Sequence, residues 1–313
     1  MSPHSFPSTV SAVAIAAAAA ADNRLHRWPL SPRITAWLRG RGEPQRRAGF
    51  EVDRAALGVE VTQTRGGHLL MGAAHSDPRD DAWVLWIHGG GFCWGSARDG
   101  TGLRLAAGLE RPVLSVEYPL APESPFPAAL DVCVEAYLSG IEAHGSRVLL
   151  GGVSAGANLA LGVLQQIRSR QAAGEDLPSP AGVIALTPFG DLAGEGDSYR
   201  VNEGRDAYLR WRGQQERFAR AYAGTADLRD PLVSPVHADW AGGQLPPALF
   251  STGTRDLFLS DCARIHTAWR AAGGEADLVL AEGLWHSYLS DPHLPESAAL
   301  LARLLDWCED ALT

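Results

Sequence analysis

Basic charge is in short supply. Lys and Arg number 27 against 36 Asp and Glu, a formal net charge of -9. A chain of this sign lacks the electrostatic footprint of a nucleic-acid binder. No run of Lys or Arg marks contact with an anionic membrane surface. Cysteine is also scarce. The four, Cys93, Cys133, Cys262 and Cys308, are scattered, and no pair has the spacing of a metal site. They read as reduced, buried thiols, which excludes a disulfide scaffold. No metal and no cofactor is expected. The apolar run Ala12 to Ala21 is too short to span a bilayer. Met1 to Val10 holds no Lys or Arg, so the positive flank of a signal peptide is missing. The run reads as an Ala-rich helix or a loose tail, and a cytoplasmic location is expected.

What remains is an ordinary globular composition, 46% hydrophobic and 20% charged over 313 residues. It supplies a sizeable core and excludes collagen-like and mainly disordered chains. Residues 22–50, rich in Arg, Trp and Pro with weak helical periodicity, read as a peripheral layer. From about Gly58 short strands begin. Val59–Thr62 and His68–Met71 flank Gly66-Gly67 and read as two strands joined by a tight turn. Residues 77–81 form a loop. Trp83–Ile87 is a continuous apolar run ending in glycines, as suits a strand buried on both faces.

Strands at Pro112–Val116, Arg147–Leu150, Ala181–Leu186, Ala248–Ser251 and Asp277–Leu280 continue the pattern. Helical stretches at Ala128–Ala143, Ala155–Arg170, Asp261–Ala272 and Glu296–Ala311 alternate with them. Such alternation implies βαβ units and a mainly parallel sheet of eight strands with helices on both faces. The first two strands lie so close in sequence that one must run antiparallel to its neighbour. Residues 190–235 interrupt the alternation with a Gly-rich loop and a helical stretch near Ala207–Tyr222. They read as a small helical cap inserted into one domain of residues 51–313, with residues 1–50 as an N-terminal segment that is either part of the cap or partly disordered.

The chemistry concentrates in loops that follow strands. Gly152-Val-Ser154-Ala-Gly156 lies between a strand and a helix. A G-x-S-x-G turn in that setting puts serine on a tight bend, exposed above the sheet edge at a helix N-terminus. His88-Gly-Gly-Gly-Phe92 ends a buried strand. Its glycines leave N–H groups free for an oxyanion, a task assigned to Gly90, Gly91 and Ala155. His88 itself reads as shaping the loop. A serine nucleophile needs a base held by an acid. In the order expected for this fold, Asp256 follows one strand and His286 the next, at the same sheet edge as Ser154. Asp261 is the alternative acid, though it reads as capping a helix. His266 and His293 are the alternative bases.

The pieces His88-Gly-Gly-Gly-Phe92, Tyr118-Pro-Leu-Ala-Pro-Glu123, Phe126-Pro-Ala-Ala-Leu130, Gly152-Val-Ser-Ala-Gly156 and Asp230-Pro-Leu-Val-Ser-Pro235 resemble the hormone-sensitive-lipase-like (family IV) α/β-hydrolases. The resemblance runs from about Val59 to the C-terminus. The stretch Gly253–Asp261 is similar to that of bacterial members described as monoterpene lactone hydrolases. The resemblance implies an α/β-hydrolase fold and a cofactor-free carboxylesterase with a Ser154–Asp256–His286 triad. It implies short to medium, apolar acyl esters, lactones included, cleaved through an acyl-enzyme. Three positions depart from the family pattern: Val153, where an acid is usual, Ala157 for Gly and Pro119 for Arg.

Phe92, Trp94, Val153, Tyr208, Trp211 and Trp285 are candidates for the substrate pocket. The competing readings are a non-hydrolytic acyltransferase or dehydratase on the same scaffold, and a small-molecule receptor on an inactive one. The partner expected is a small ester or lactone, not nucleic acid or membrane. The oligomeric state, a homodimer included, is left open.

Overall fold

A computed structural model describes residues 6–21, 31–73 and 81–313. The loop read at 77–81 lies, but for Asp81, outside the described residues. One sheet of eight strands organises the chain, in the order β1-β2-β4-β3-β5-β6-β7-β8. The strands are β1 (Val59–Gln63), β2 (Leu69–Ala73), β3 (Ala82–Ile87), β4 (Val113–Val116), β5 (Arg147–Val153), β6 (Gly182–Leu186), β7 (Ala248–Gly253) and β8 (Ala276–Ala281). Only β2 runs against its neighbours; β3 to β8 are parallel to each other.

Every residue of β3 is buried, because both faces of the sheet are covered. Trp83, Leu85 and Ile87 point to one face, shared with α4 (Ala128–His144), α5 (Ala155–Ala172) and α8 (Leu259–Ala271). Ala82, Val84 and Trp86 point to the other, shared with α3 (Gly100–Leu109) and α9 (Pro295–Leu312). The period of two thus separates two cores. Parallel order also brings the C-terminal ends of β3, β5, β7 and β8 to one edge.

The N-terminal run forms α1 (Ala12–Ala20), capped by Ser11, whose Oγ accepts the Ala14 N–H at 3.1 Å. Ser11 donates its own N–H and O–H to Glu296 at 2.8 and 2.9 Å, which ties α1 to the start of α9. Helix α2 (Pro32–Leu57) crosses residue 50 unbroken and ends at Gly58 in the left-handed region. Arg39 of α2 donates to the Cys93 carbonyl at 2.7 Å and to the Ala121 carbonyl, and pairs with Glu123 at 2.9 Å. The helix is thereby held against the loops beyond β3 and β4. Among the described residues, no helix is long and apolar enough to cross a membrane.

Two segments depart from expectation. Helix α3 has no helical signature in sequence because it carries Gly100, Gly102 and Gly108, each a poor helix former. Packing explains two of them: a Cβ on Gly102 would press on Trp86, and one on Gly108 would strike Leu305 of α9. In the 190–235 segment the helix read over 207–222 is shorter. Arg212 and Gly213 leave the helical region, Gly213 at φ 74°, and only α7 (Glu216–Ala223) is regular. A short α6 (Ser198–Val201) precedes it.

Helix α3 depends on Asp99. Its Oδ1 accepts N–H groups of Thr101 and Gly102 at 3.0 Å each and the indole N–H of Trp86 at 2.8 Å. Asp99→Ala removes a cap and strands a buried indole donor. Urea unfolding should show a loss of about 2 kcal/mol.

Candidate active site

Ser154 sits between β5 and α5 at φ 59°, ψ -119°, a conformation that L-residues rarely adopt. The turn is held by sterics. A Cβ on Gly156 would land on the Ile87 carbonyl oxygen, and one on Gly152 would overlap the Gly156 carbonyl. Glycine at both places lets α5 begin against the end of β3. The Ser154 N–H donates to the Leu186 carbonyl at 2.8 Å, and the Asn158 side chain donates to the carbonyls of Phe189 and Val233 at 2.8 and 2.9 Å. These bonds fix the turn from both sides.

His286 and Asp256 reach this serine from the loops after β8 and β7. His286 Nε2 lies 2.8 Å from Ser154 Oγ, and its Nδ1 lies 3.0 Å from Asp256 Oδ1. Asp256 is fully buried, while Ser154 and His286 retain 7% and 6% exposure. Asp256 also accepts the Phe258 N–H at 2.8 Å and the Thr252 hydroxyl at 3.0 Å. With both oxygens occupied its carboxylate cannot swing away. An acceptor at Nδ1 places the ring proton there and leaves Nε2 facing the serine hydroxyl.

Gly90 and Gly91 stand beside Ser154 at φ 113° and 58°. Trp94 backbone fills the place where a Gly90 Cβ would go, and the Phe218 ring fills that of Gly91. Among the described residues, the N–H groups of Gly90, Gly91 and Ala155 donate to no protein acceptor. His88 supports this loop. It stacks on Tyr118 with ring centroids 4.1 Å apart, and its Nδ1–H donates to the Gly89 carbonyl at 2.8 Å. Tyr118 in turn donates to the His88 carbonyl at 2.9 Å. Burial drives the His88 pKa down to about 4, so the ring is neutral at pH 7. Cys93 is sealed beneath the loop, and burial pushes its thiol up to about 12.

The alternatives read from sequence lie elsewhere. Asp261 is fully buried, but α8 begins at Leu259, so Asp261 is inside the helix and does not cap it. Its Oδ2 instead accepts the N–H groups of Gly190 and Asp191 at 3.0 Å and the Tyr199 hydroxyl at 2.6 Å. Burial, then the Asp191 charge, raises its pKa well above the usual carboxylate range. His266 packs edge-on against Phe250, and His293 is exposed.

A cavity of about 410 Å³ opens over Ser154 and His286. Of the six pocket candidates, Trp94, Val153 and Tyr208 line it. The other three do not. Phe92 is enclosed in a stack with Tyr222, centroids 3.7 Å apart. Trp211 packs on Tyr199 and Phe189, and Trp285 is buried behind Tyr208. Large aromatics near a motif are drawn into the core by their area. Leu209, Gln214, Gln215 and Phe218, which the sequence did not single out, also line the cavity, as do Ser96, Asp99, Ser287 and Ser290. Arg46 and Arg98 stand at the mouth and share Glu43, at 3.1 and 3.6 Å.

Asp206 is the further residue that sequence reasoning missed. It is 1% exposed and accepts four backbone N–H groups. Tyr208 and Leu209 donate to one oxygen at 2.9 Å each. Leu257 and His286 donate to the other at 3.0 and 3.1 Å. One carboxylate therefore joins the 190–235 segment to both loops that carry the acid and the imidazole. Burial, then the charge of Asp256, pushes its pKa up, and His286 opposes this. A lone Asp in a polar loop carries no sequence signal for such a role.

Among the described residues, Asp191, Glu195 and His237 could bring ligand atoms within 4.8 Å of one another. Both carboxylates are already neutralised, Asp191 by Arg264 at 2.6 Å and Glu195 by Arg229 at 2.8 Å. The donor set does not suit a cation.

With this geometry in view, residues 84–290 match the family described as alpha/beta hydrolase fold, so the chain belongs to that family. It falls in the hormone-sensitive-lipase-like branch. An acetyl-hydrolase of Streptomyces hygroscopicus is 35% identical over 74% of this chain and 76% of its own. An esterase of Acinetobacter venetianus is 31% identical over 72% and 73%. A solved esterase structure superposes with a TM-score of 0.86 at 28% identity, covering 96% of this chain and 94% of its own. An esterase from the bacterial hormone-sensitive lipase family superposes at 0.75 with 29% identity, over 91% and 100%.

Two outcomes follow. Asp206→Ala leaves the Leu257 and His286 N–H groups without an acceptor, and chemical unfolding should show a loss of about 3 kcal/mol. His88 acts through pH. Its folded pKa lies below its unfolded one, so its contribution to stability is complete above about 6.5 and falls away as pH drops toward 4. The stability gap between the parent and His88→Gln in urea should therefore be wider at pH 7 than at pH 4.5.

Proposed function

We propose that this chain hydrolyses carboxylic esters through a covalent acyl-serine. The observation that carries the reading is the unbroken relay from Asp256 through His286 to Ser154, facing three unused amide N–H groups. The named activities of the relatives, esterase and acetyl-hydrolase, agree with it.

His286 takes the Ser154 proton at Nε2 as the oxygen attacks the ester carbonyl. The bond to Asp256 holds the imidazole tautomer and stabilises the imidazolium that forms. The carbonyl oxygen, now an anion, receives hydrogen bonds from Gly90, Gly91 and Ala155. Losing one such donor in a comparable enzyme slows the reaction by about 10²–10³. At that place the N-terminus of α5 adds its own favourable potential. Collapse of the intermediate breaks the bond to the alkoxy group, which leaves with the proton from His286. Water then repeats the cycle on the acyl-serine. A lactone fits the same scheme, its alcohol remaining tethered to the acyl group. Residues 190–235 and the N-terminal helices serve as the cap, roofing the cavity with Tyr208, Leu209, Phe218 and Arg46. The cavity volume suits a short to medium acyl chain.

Cleavage of p-nitrophenyl butyrate by the parent and by Ser154→Ala tests the reading. The variant should lose at least about 10⁴-fold in kcat while its circular dichroism is unchanged. A fluorophosphonate should add to the parent and not to the variant. Turnover near the parent's rate in Ser154→Ala would exclude Ser154 as the nucleophile.

A further inference from the structure

The wall of the cavity is not uniformly apolar. Trp94, Val153, Leu209 and Phe218 offer apolar surface, but two glutamines stand among them. Gln214 and Gln215 are 6% and 3% exposed, nearly as enclosed as the core. The Gln214 carbonyl accepts the Arg210 N–H at 2.8 Å, whereas its amino group donates to nothing among the described residues. The Gln215 amide makes no side-chain hydrogen bond to any described residue.

Enclosed amides without partners are unfavourable, and a Leu or Met of similar volume would pack there at less cost. Neither amide is among the fully sealed polar atoms of the interior, so both open onto the cavity. The break at Arg212 and Gly213 sets these two residues at the cavity, directly before α7. Together they present N–H donors and one free carbonyl acceptor, a set that a hydroxyl group can satisfy in both directions. The two amides carry no charge, so the group they suit is a neutral polar one.

We propose that Gln214 and Gln215 form a polar subsite that hydrogen-bonds an oxygen on the substrate beside the scissile ester. The favoured substrates are then neutral hydroxylated esters, not plain alkyl esters. This rests on the ester-hydrolase reading above and narrows its substrate class.

The test compares two matched pairs of esters: glyceryl monoacetate with butyl acetate, and methyl 3-hydroxybutyrate with methyl butyrate. The first pair places the hydroxyl on the alcohol side, the second on the acyl side. For the parent, kcat/KM should favour the hydroxylated member of at least one pair. In Gln215→Met that preference ratio should fall about tenfold, the size of one lost neutral hydrogen bond. Gln215→Asn, which retracts the amide by one methylene, should lower the same ratio and serves if the Met variant does not fold. Equal ratios in parent and variants for both pairs would overturn the subsite. Failure of the parent to cleave any of the four esters or p-nitrophenyl butyrate would instead overturn the reaction assigned to the site.

Discussion

The site depends on how closely two backbones approach. Helix α5 begins where β3 ends, and the Gly156 Cα lies so near the Ile87 carbonyl that no side chain fits between them. That contact forces the chain through the bend at Ser154 and lifts its hydroxyl clear of the sheet. It also sets the glycines after β3 beside the same hydroxyl, since Ile87 leads straight into them. The Ser154 hydroxyl and the N–H groups of Gly90 and Gly91 are thus placed by one steric constraint. The two cores on either face of β3 hold that constraint rigid, because neither Trp83 nor Trp86 can give way without opening a void.

The relay is held by a second device of a different kind. Loops after β7 and β8 are tied directly to each other, the Arg255 N–H donating to the Leu284 carbonyl at 2.9 Å and the Gly283 N–H to the Thr254 hydroxyl at 2.8 Å, but the sheet does not hold them to residues 206–209. The Asp206 carboxylate supplies that link, collecting N–H groups from all three. Residues 206–209 and the Asp256–His286 pair are therefore mechanically one unit. Asn202 strengthens the junction by donating to the Asp256 carbonyl at 2.7 Å. Residues 206–209, joined in this way, cannot move far without disturbing the imidazole of His286.

Much of this was legible in the sequence, and the reason is steric. Glycine at 89–91, 152 and 156 records places where only hydrogen fits, and such places lie at the chemistry. The alternation of strand and helix fixed the order in which Asp256 and His286 arrive at the edge. What stayed hidden depends on partners far away in the chain. Helix α3 looks unhelical because its glycines answer to Trp86 and Leu305. Asp206 looks like any loop carboxylate until its four donors are seen. Gln214 and Gln215 look like a polar helix face, whereas the turn at Gly213 sets them at the cavity. Phe92, Trp211 and Trp285 misled for the opposite reason. Proximity to a motif in sequence says nothing about which side of the loop a ring will choose.

The burial of Cys93 has a practical side. Its sulfur sits under the Gly89–Gly91 loop, without access to solvent and held in the thiol form. Only a thiolate reacts readily with alkylating agents. In the native state, then, iodoacetamide meets no competent target there, and modification proceeds only when the loop comes away from the sheet. The rate at which that sulfur is capped becomes a clock for breathing of the loop.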